Sequence, residues 1–262
     1  ARFMYTIFSR FSVANAIGLR DAIMWILIVL GISSGLVGAL LMVVQRDVKR
    51  LLAYSTISHI GLILMGLGLG LSTAPSSATE AGLTAALYHT LNHSVGKALL
   101  FMAVGVMIWA AGTRDIDGLA GTGRLYPGAA AAMVIGFLQL MGMPPLGGFF
   151  SKLMLYQAYV EAGMLIPAVM VVVISAISIL GYMKVIYSVV FRPPSPHVRR
   201  GSTYMATGVV LFMAALCIAL GLAAPFLAPY LTKAVGTSLM PQGIRIYVQA
   251  FVDALRVLSP RG

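Results

Sequence analysis

Histidine and lysine are the side chains best placed to hand a proton on when their surroundings tune them toward neutral pH. His89, His93 and Lys97 are spaced four and four apart. On a helix each lies about 40° further round than the last, so the three share a face and the row runs about 12 Å along the axis. The stretch that carries them, 81–111 (AGLTAALYHTLNHSVGKALLFMAVGVMIWAA), is long and apolar enough to cross a bilayer. An ionisable group at that depth costs on the order of 2.5–3.5 kcal/mol on insertion scales. The chemistry that would justify such a row is a proton or ion path inside the membrane. The plainer reading is polar glue between helices. For a lone histidine the plainer reading is better; for three titratable groups on one stripe the path is better. His59, central in another apolar stretch beside Ser55, Thr56 and Ser58, and Lys152, just behind a Pro/Gly cluster, extend the candidate relay. It then comprises His59, His89, His93, Lys97 and Lys152. Lys184 is a further candidate, but it lies near the end of its helix and could snorkel to the surface.

The elements that position these residues follow from composition. The chain of 262 residues is 60% hydrophobic and 10% charged, where a soluble domain carries about 25% charge. Its apolar runs are continuous rather than alternating and too long for barrel strands, so it reads as an all-α integral membrane protein. The formal net charge of +11 does not point to nucleic acid: the basic residues lie mostly at helix ends, where anionic lipid headgroups attract them. The single cysteine, Cys217, sits in an apolar run and excludes an intrachain disulfide. No cysteine cluster suits an iron–sulfur centre and no glycine-rich dinucleotide fingerprint occurs, so no cofactor, metal site or catalytic group is expected in this chain.

Seven spans are predicted, at about 22–44, 51–71, 81–111, 127–143, 147–160, 165–191 and 204–230. Gly31, Ser33, Ser34, Gly35 and Gly38 give the first a small-residue face for close packing. Pro127 suits a helix start, where its missing N–H has no intrahelical partner. GMPPLGG (142–148) cannot continue an ideal helix. Broken backbone at membrane depth is tolerated where it is buried or lines a wet cavity. The two flanking spans are short, which favours one helix broken inside the membrane over a surface turn. Residues 1–230 form a transmembrane bundle on this reading. The segment 231–262 is a separate amphipathic part, with Arg245, Asp253 and Arg256 between apolar residues at helical spacing in 241–258. The opening ARFMYTIFSRF lacks a signal-peptide core and reads as the tail of a transmembrane helix, so the chain is expected to be part of a larger protein or of a split subunit. All seven acidic residues fall in expected loops or helix ends. Lys97, Lys152 and Lys184 therefore have no acidic partner within a span, and a partner chain or an upstream part is expected to supply a carboxylate.

RDVKRLLAYSTISHIG (46–61), YHTLNHSVGKALLFMAVG (88–105) and GMPPLGGFFSK (142–152) resemble the antiporter-like proton-translocating subunits shared by respiratory complex I, membrane-bound hydrogenases and Mrp-type Na⁺/H⁺ antiporters. The resemblance covers roughly 20–230, with three motifs in the family's order. It implies that the chain corresponds to the eighth to fourteenth helices of a fourteen-helix fold made of two inverted five-helix repeats. It also implies that Lys97 is the family's central lysine, that His89 and His93 are the histidines preceding it, and that Lys152 is the lysine of the broken helix, which some members replace by glutamate. His59 falls where relatives carry His or Gln. The front half's glutamate and lysine have no counterpart here. The implied function is translocation of H⁺, coupled or not to Na⁺, within a multi-subunit complex of a prokaryotic cytoplasmic membrane. Its partners would be other membrane subunits, neighbouring antiporter-like subunits among them, and lipids; redox chemistry would belong to those partners. The rival is a transport-inactive scaffold that keeps the fold, and a self-standing channel or exchanger is the weaker third reading.

Overall fold

In the computed structural model, residues 14–239 are described, apart from 73, 196, 197 and 200. Among the described residues the elements are helical: α1 (Ala14–Val44), α2 (Val48–Leu69), α3 (Ser76–Ala111), α4 (Thr122–Leu125), α5 (Pro127–Met141), α6 (Gly147–Glu161), α7 (Leu165–Ile186), α8 (Tyr204–Leu222) and α9 (Ala224–Leu239). A π-helical turn, Tyr187–Phe191, extends α7. Five helices, α1, α2, α3, α7 with its extension, and α8, are long and apolar enough to cross a membrane. The chain is an integral membrane protein, and the predicted 241–258 helix lies outside the described residues.

The small-residue face of α1 does what its composition suggests. It packs on α2 so closely that a Cβ added at Gly31 would stand 2.7 Å from the Gly61 carbonyl oxygen, and one at Gly38 2.7 Å from the Ser58 amide. The Ser58 hydroxyl closes the pair by donating to the Gly35 carbonyl at 2.9 Å. Asp47 starts α2 as its N-cap, its side chain accepting from the Lys49 and Arg50 amides at 2.8 and 3.0 Å. That satisfies two of the donors a helix start leaves unpaired. The opposite face of α1, with Trp25, Ile26, Val29 and Leu30 exposed, has the lipid-facing composition expected of an outer helix.

The predicted break is present. α5 begins at Pro127 and ends at Gly142, whose φ of 84° suits glycine far better than any residue with a Cβ. α6 restarts at Gly147. Each half has 15 residues, about 22 Å, too short to cross a hydrocarbon core of about 30 Å alone. A Cβ at Gly147 would collide with the Asn92 amide, near the middle of the 36-residue α3. The break is thus level with the centre of the longest helix; Leu146, Gly147 and Gly148 are buried in it, while Met143, Pro144 and Pro145 are exposed.

Other boundaries depart from the expectation. The last span ends at Leu222 rather than near 230. The chain turns at Ala223, and α9 begins one residue before Pro225, which fits the first turn of a helix but not the interior of a continuing one. α9 runs through position 230 as one helix. The polar segment 112–126, between two predicted spans, holds the single turn α4 and a bridge between Asp115 and Asp47. Asp21 is the eighth residue of α1 and Glu80 the fifth of α3, because both helices begin before their apolar windows do.

Candidate proton-relay site

His59 stands on the inner face of α2, His89 and His93 on α3, and the three rings gather in one stack. The His59 centroid is 5.1 Å from His89 and 4.9 Å from His93, with interplanar angles of 12° and 27°. The hydrogen bonds single out two of them. His59 Nδ1 pairs with His89 Nε2 at 2.9 Å. His59 Nε2 meets the Tyr182 hydroxyl of α7 at 3.0 Å, and His89 Nδ1 meets the Ser151 hydroxyl of α6 at 2.8 Å. Ser151 in turn donates to the Gly148 carbonyl at 3.1 Å, in the first turn after the break. His93 Nδ1 is buried without a hydrogen-bond partner among the described residues. His93 thus stacks beside the hydrogen-bonded pair rather than bonding within it.

Lys97 lies at one end. Its ammonium donates to the Leu52 carbonyl at 2.7 Å and to the Ser55 hydroxyl. Lys152 lies at the other end, one residue after Ser151. Its ammonium donates to the Leu140 and Met141 carbonyls at 2.8 and 3.1 Å, the last carbonyls of α5. A cation there complements the negative end of the α5 dipole and ties the two half-helices together. Beside it, Gln139 donates to the Asn92 side-chain oxygen at 3.0 Å, and Asn92 donates to the Tyr88 carbonyl at 2.8 Å. His59, His89, His93, Lys97 and Lys152 are all buried, and burial of that many polar groups demands hydrogen bonds.

Lys184 stands apart. Its ammonium donates to the Val43 and Gln45 carbonyls at the end of α1. It lines a surface cleft with Arg46, Asp117 and Arg192, where Arg192 pairs with Asp117 at 2.5 Å. This is helix capping near the charged 45–50 connection. Among the described residues no metal-binding cluster of His, Cys, Asp or Glu occurs.

Sequence reasoning missed Tyr182 and Ser151 as members of the line. Tyr182 is 123 residues from its partner His59 and Ser151 is 62 from His89, so only tertiary packing joins them. The available signal was a buried polar residue in an apolar span, which Tyr182 shares with ordinary core tyrosines.

A family model described as the transmembrane part of NADH:quinone oxidoreductase and Mrp antiporter proteins matches residues 4–178. The chain belongs to this family. Among members of the NADH:quinone oxidoreductase/Mrp antiporter family, formate hydrogenlyase subunit 3 of Escherichia coli (strain K12) is 33% identical over 251 residues, 89% of this chain and 41% of the relative. Hydrogenase-4 component B of the same strain is 36% identical over 217 residues, 76% of this chain and 32% of the relative. The chain thus spans less than half the length of these two relatives. In structure it is similar to a chain of the archaeal membrane-bound sulfane sulfur reductase, with a TM-score of 0.78, 28% identity, and 94% of this chain and 47% of that chain covered. A chain of the Mrp complex from Dietzia sp. DQ12-45-1b shares the fold at a TM-score of 0.75 and 24% identity, covering 88% of this chain and 49% of that one. The antiporter-like fold expected from the three motifs is confirmed, broken helix included.

Proposed function

We propose that the chain forms the ion-path half of an antiporter-like subunit that moves H⁺, alone or coupled to Na⁺, within a multi-subunit membrane complex. One observation carries the reading: an interior hydrogen-bonded line from Tyr182 through His59 and His89 to Ser151 beside the break, with Lys97 and Lys152 buried at its two ends. Most of its members can both accept and donate a proton. Neighbouring groups of like charge disfavour one another's charged forms, so a proton arriving at one lysine favours release from the next. Partner membrane subunits complete the path. Lysine in a low-dielectric site must lose its proton, find a counter-ion or reach water. An intramembrane Glu or Asp of another polypeptide, or of the part of the protein outside this chain, is expected within a few water-mediated steps of Lys97. A structure of the whole complex whose only nearby acids are this chain's loop residues, unconnected to Lys97 by water, would favour the scaffold reading. That reading has one observation of its own: both lysine ammoniums are held by backbone carbonyls, as in a static brace.

The experiment is proton flux by the complex in sealed proteoliposomes, with and without Na⁺. Lys152→Leu is expected to reduce H⁺ movement by about tenfold or more, about 1.4 kcal/mol. Lys152→Glu should retain more, since a carboxyl still titrates and its protonated form can donate to the α5 carbonyls. Equal wild-type flux from both assembled variants would make the subunit a scaffold at this position. Flux that requires Na⁺ would assign the coupled mode. His93→Gln is expected to cost less than His89→Gln in the same assay, because His89 holds two bonds in the line and His93 stacks beside it.

A further inference from the structure

The line has a direction, and one hydroxyl sets it. Resting on the proton-path reading for its use but not for its geometry, we propose that Ser151 polarises the histidine pair so that every donor points from Tyr182 toward the helix break. The count is of single hydrogens. A serine hydroxyl carries one, and the Gly148 carbonyl can only accept, so both contacts of Ser151 are hydrogen bonds only if that hydrogen goes to Gly148. Toward His89, Ser151 therefore accepts, and His89 Nδ1 carries a hydrogen. A neutral imidazole has one N–H, so His89 Nε2 is a bare lone pair. Its partner, His59 Nδ1, must then donate. His59 Nε2 is left bare in turn, and the Tyr182 hydroxyl must donate to it. With both rings neutral, four bonds thus have one arrangement, fixed at its far end by a backbone carbonyl.

The consequence is a chain primed one way. A proton given to the Tyr182 oxygen lets Tyr182 pass its own to His59 Nε2, His59 pass the Nδ1 proton to His89 Nε2, and His89 pass its Nδ1 proton to Ser151. Ser151 then turns its hydroxyl from the Gly148 carbonyl, which cannot pass a proton on, and gives that proton to a water on the side where Lys152 stands. One proton enters, one leaves, and each N–H or O–H bond broken is matched by one formed. Afterwards every donor faces the other way, so the rings and hydroxyls must reorient before a second transfer. The entry is Ser55. It accepts from Lys97 and donates to the Leu52 carbonyl at 3.1 Å. Turned away from Leu52 toward Tyr182, its hydrogen would connect Lys97 to the line. Ser151 and Tyr182 are positioning residues in this scheme, and the resting order favours transfer from the Lys97 end to the Lys152 end.

The test reads tautomers directly. The full complex in lipid bilayers, with histidine labelled by ¹³C and ¹⁵N, is studied by solid-state NMR at pH about 8.5, where ordinary imidazoles are neutral. Carbon–nitrogen correlation identifies Nδ1, the ring nitrogen bonded to Cγ. Difference spectra against His59→Gln and His89→Gln assign the two rings. Both are expected as Nδ1–H in the wild type. Ser151→Ala removes the fixed end, and a substantial Nε2–H population is expected at both rings. Ser151→Thr, which keeps the hydroxyl, should restore Nδ1–H, and Tyr182→Phe should leave His89 as it was. Nε2–H at either ring in the wild type, or wild-type tautomers in Ser151→Ala, would overturn the assignment. Nδ1–H at both rings in a complex that moves no protons would leave the polarity standing and remove the transport reading instead.

Discussion

Lys97→Ala is expected to reduce proton translocation by the assembled complex at least about tenfold, a barrier increase of about 1.4 kcal/mol or more. Lys97 is buried in the middle of α3 and holds the only ammonium in contact with Ser55 among the described residues. Alanine removes the titratable group where the line begins. Assembly should survive. The Leu52 carbonyl that loses the ammonium still accepts from the Ser55 and Thr56 hydroxyls, each at 3.1 Å. No carboxylate of the described chain is left buried without its cation, because none pairs with Lys97. The check is native-gel assembly together with acidification of proteoliposomes at equal complex content. Wild-type flux from a fully assembled Lys97→Ala complex would take the lysine out of the mechanism.

Gly148→Ala is the second large effect, and it acts through the fold. An added Cβ would overlap the Gln139 carbonyl oxygen, where the end of α5 meets the start of α6. The obstacle is backbone, so neither side can give by a rotamer change. A loss of about 3 kcal/mol or more is expected, in the range of severe overpacking. The two half-helices would part, and Lys152 would lose the α5 carbonyls that it braces. Gly105→Ala is the control: nothing lies within 4 Å of a Cβ there. In the interior of α3 it should be neutral or stabilising by up to about 1 kcal/mol. Thermal unfolding of the purified complex, followed by the yield of assembled subunit, separates the two. Similar stability of both variants would mean that the tight passage at Gly148 is not needed.

Much of this was legible in the sequence because the bilayer imposes strong rules. Continuous apolar runs give spans, and the Gly and Pro residues of GMPPLGG cannot continue the preceding helix, so the break and the position of Lys152 behind it could be read directly. The four-residue spacing of His89, His93 and Lys97 put them on one face. It could not show which of them would turn toward a partner, since that depends on where α2, α6 and α7 dock. His59 comes close enough to bond His89 because α2 and α3 pack tightly, so that a Cβ added at Gly66 would stand 2.8 Å from the Gly82 carbonyl oxygen. Ser151 and Tyr182 reach the line only once α6 and α7 are in place. The break at Ala223 was missed because 204–230 stays apolar throughout, and hydropathy does not register a change of direction. Lys184 looked like an intramembrane lysine by position, yet it caps α1, a role set by a helix far away in sequence.

The central claim is that protons pass through the His59–His89 pair. The most direct measurement is the number of protons moved per turnover by the intact complex carrying His59→Gln together with His89→Gln, over about pH 6–8. Glutamine keeps the volume and hydrogen bonding but does not titrate in that range. The account predicts an assembled complex that turns over with proton movement through this subunit lost across the range. Wild-type proton counts at every pH would contradict it and leave the histidines as interhelical glue.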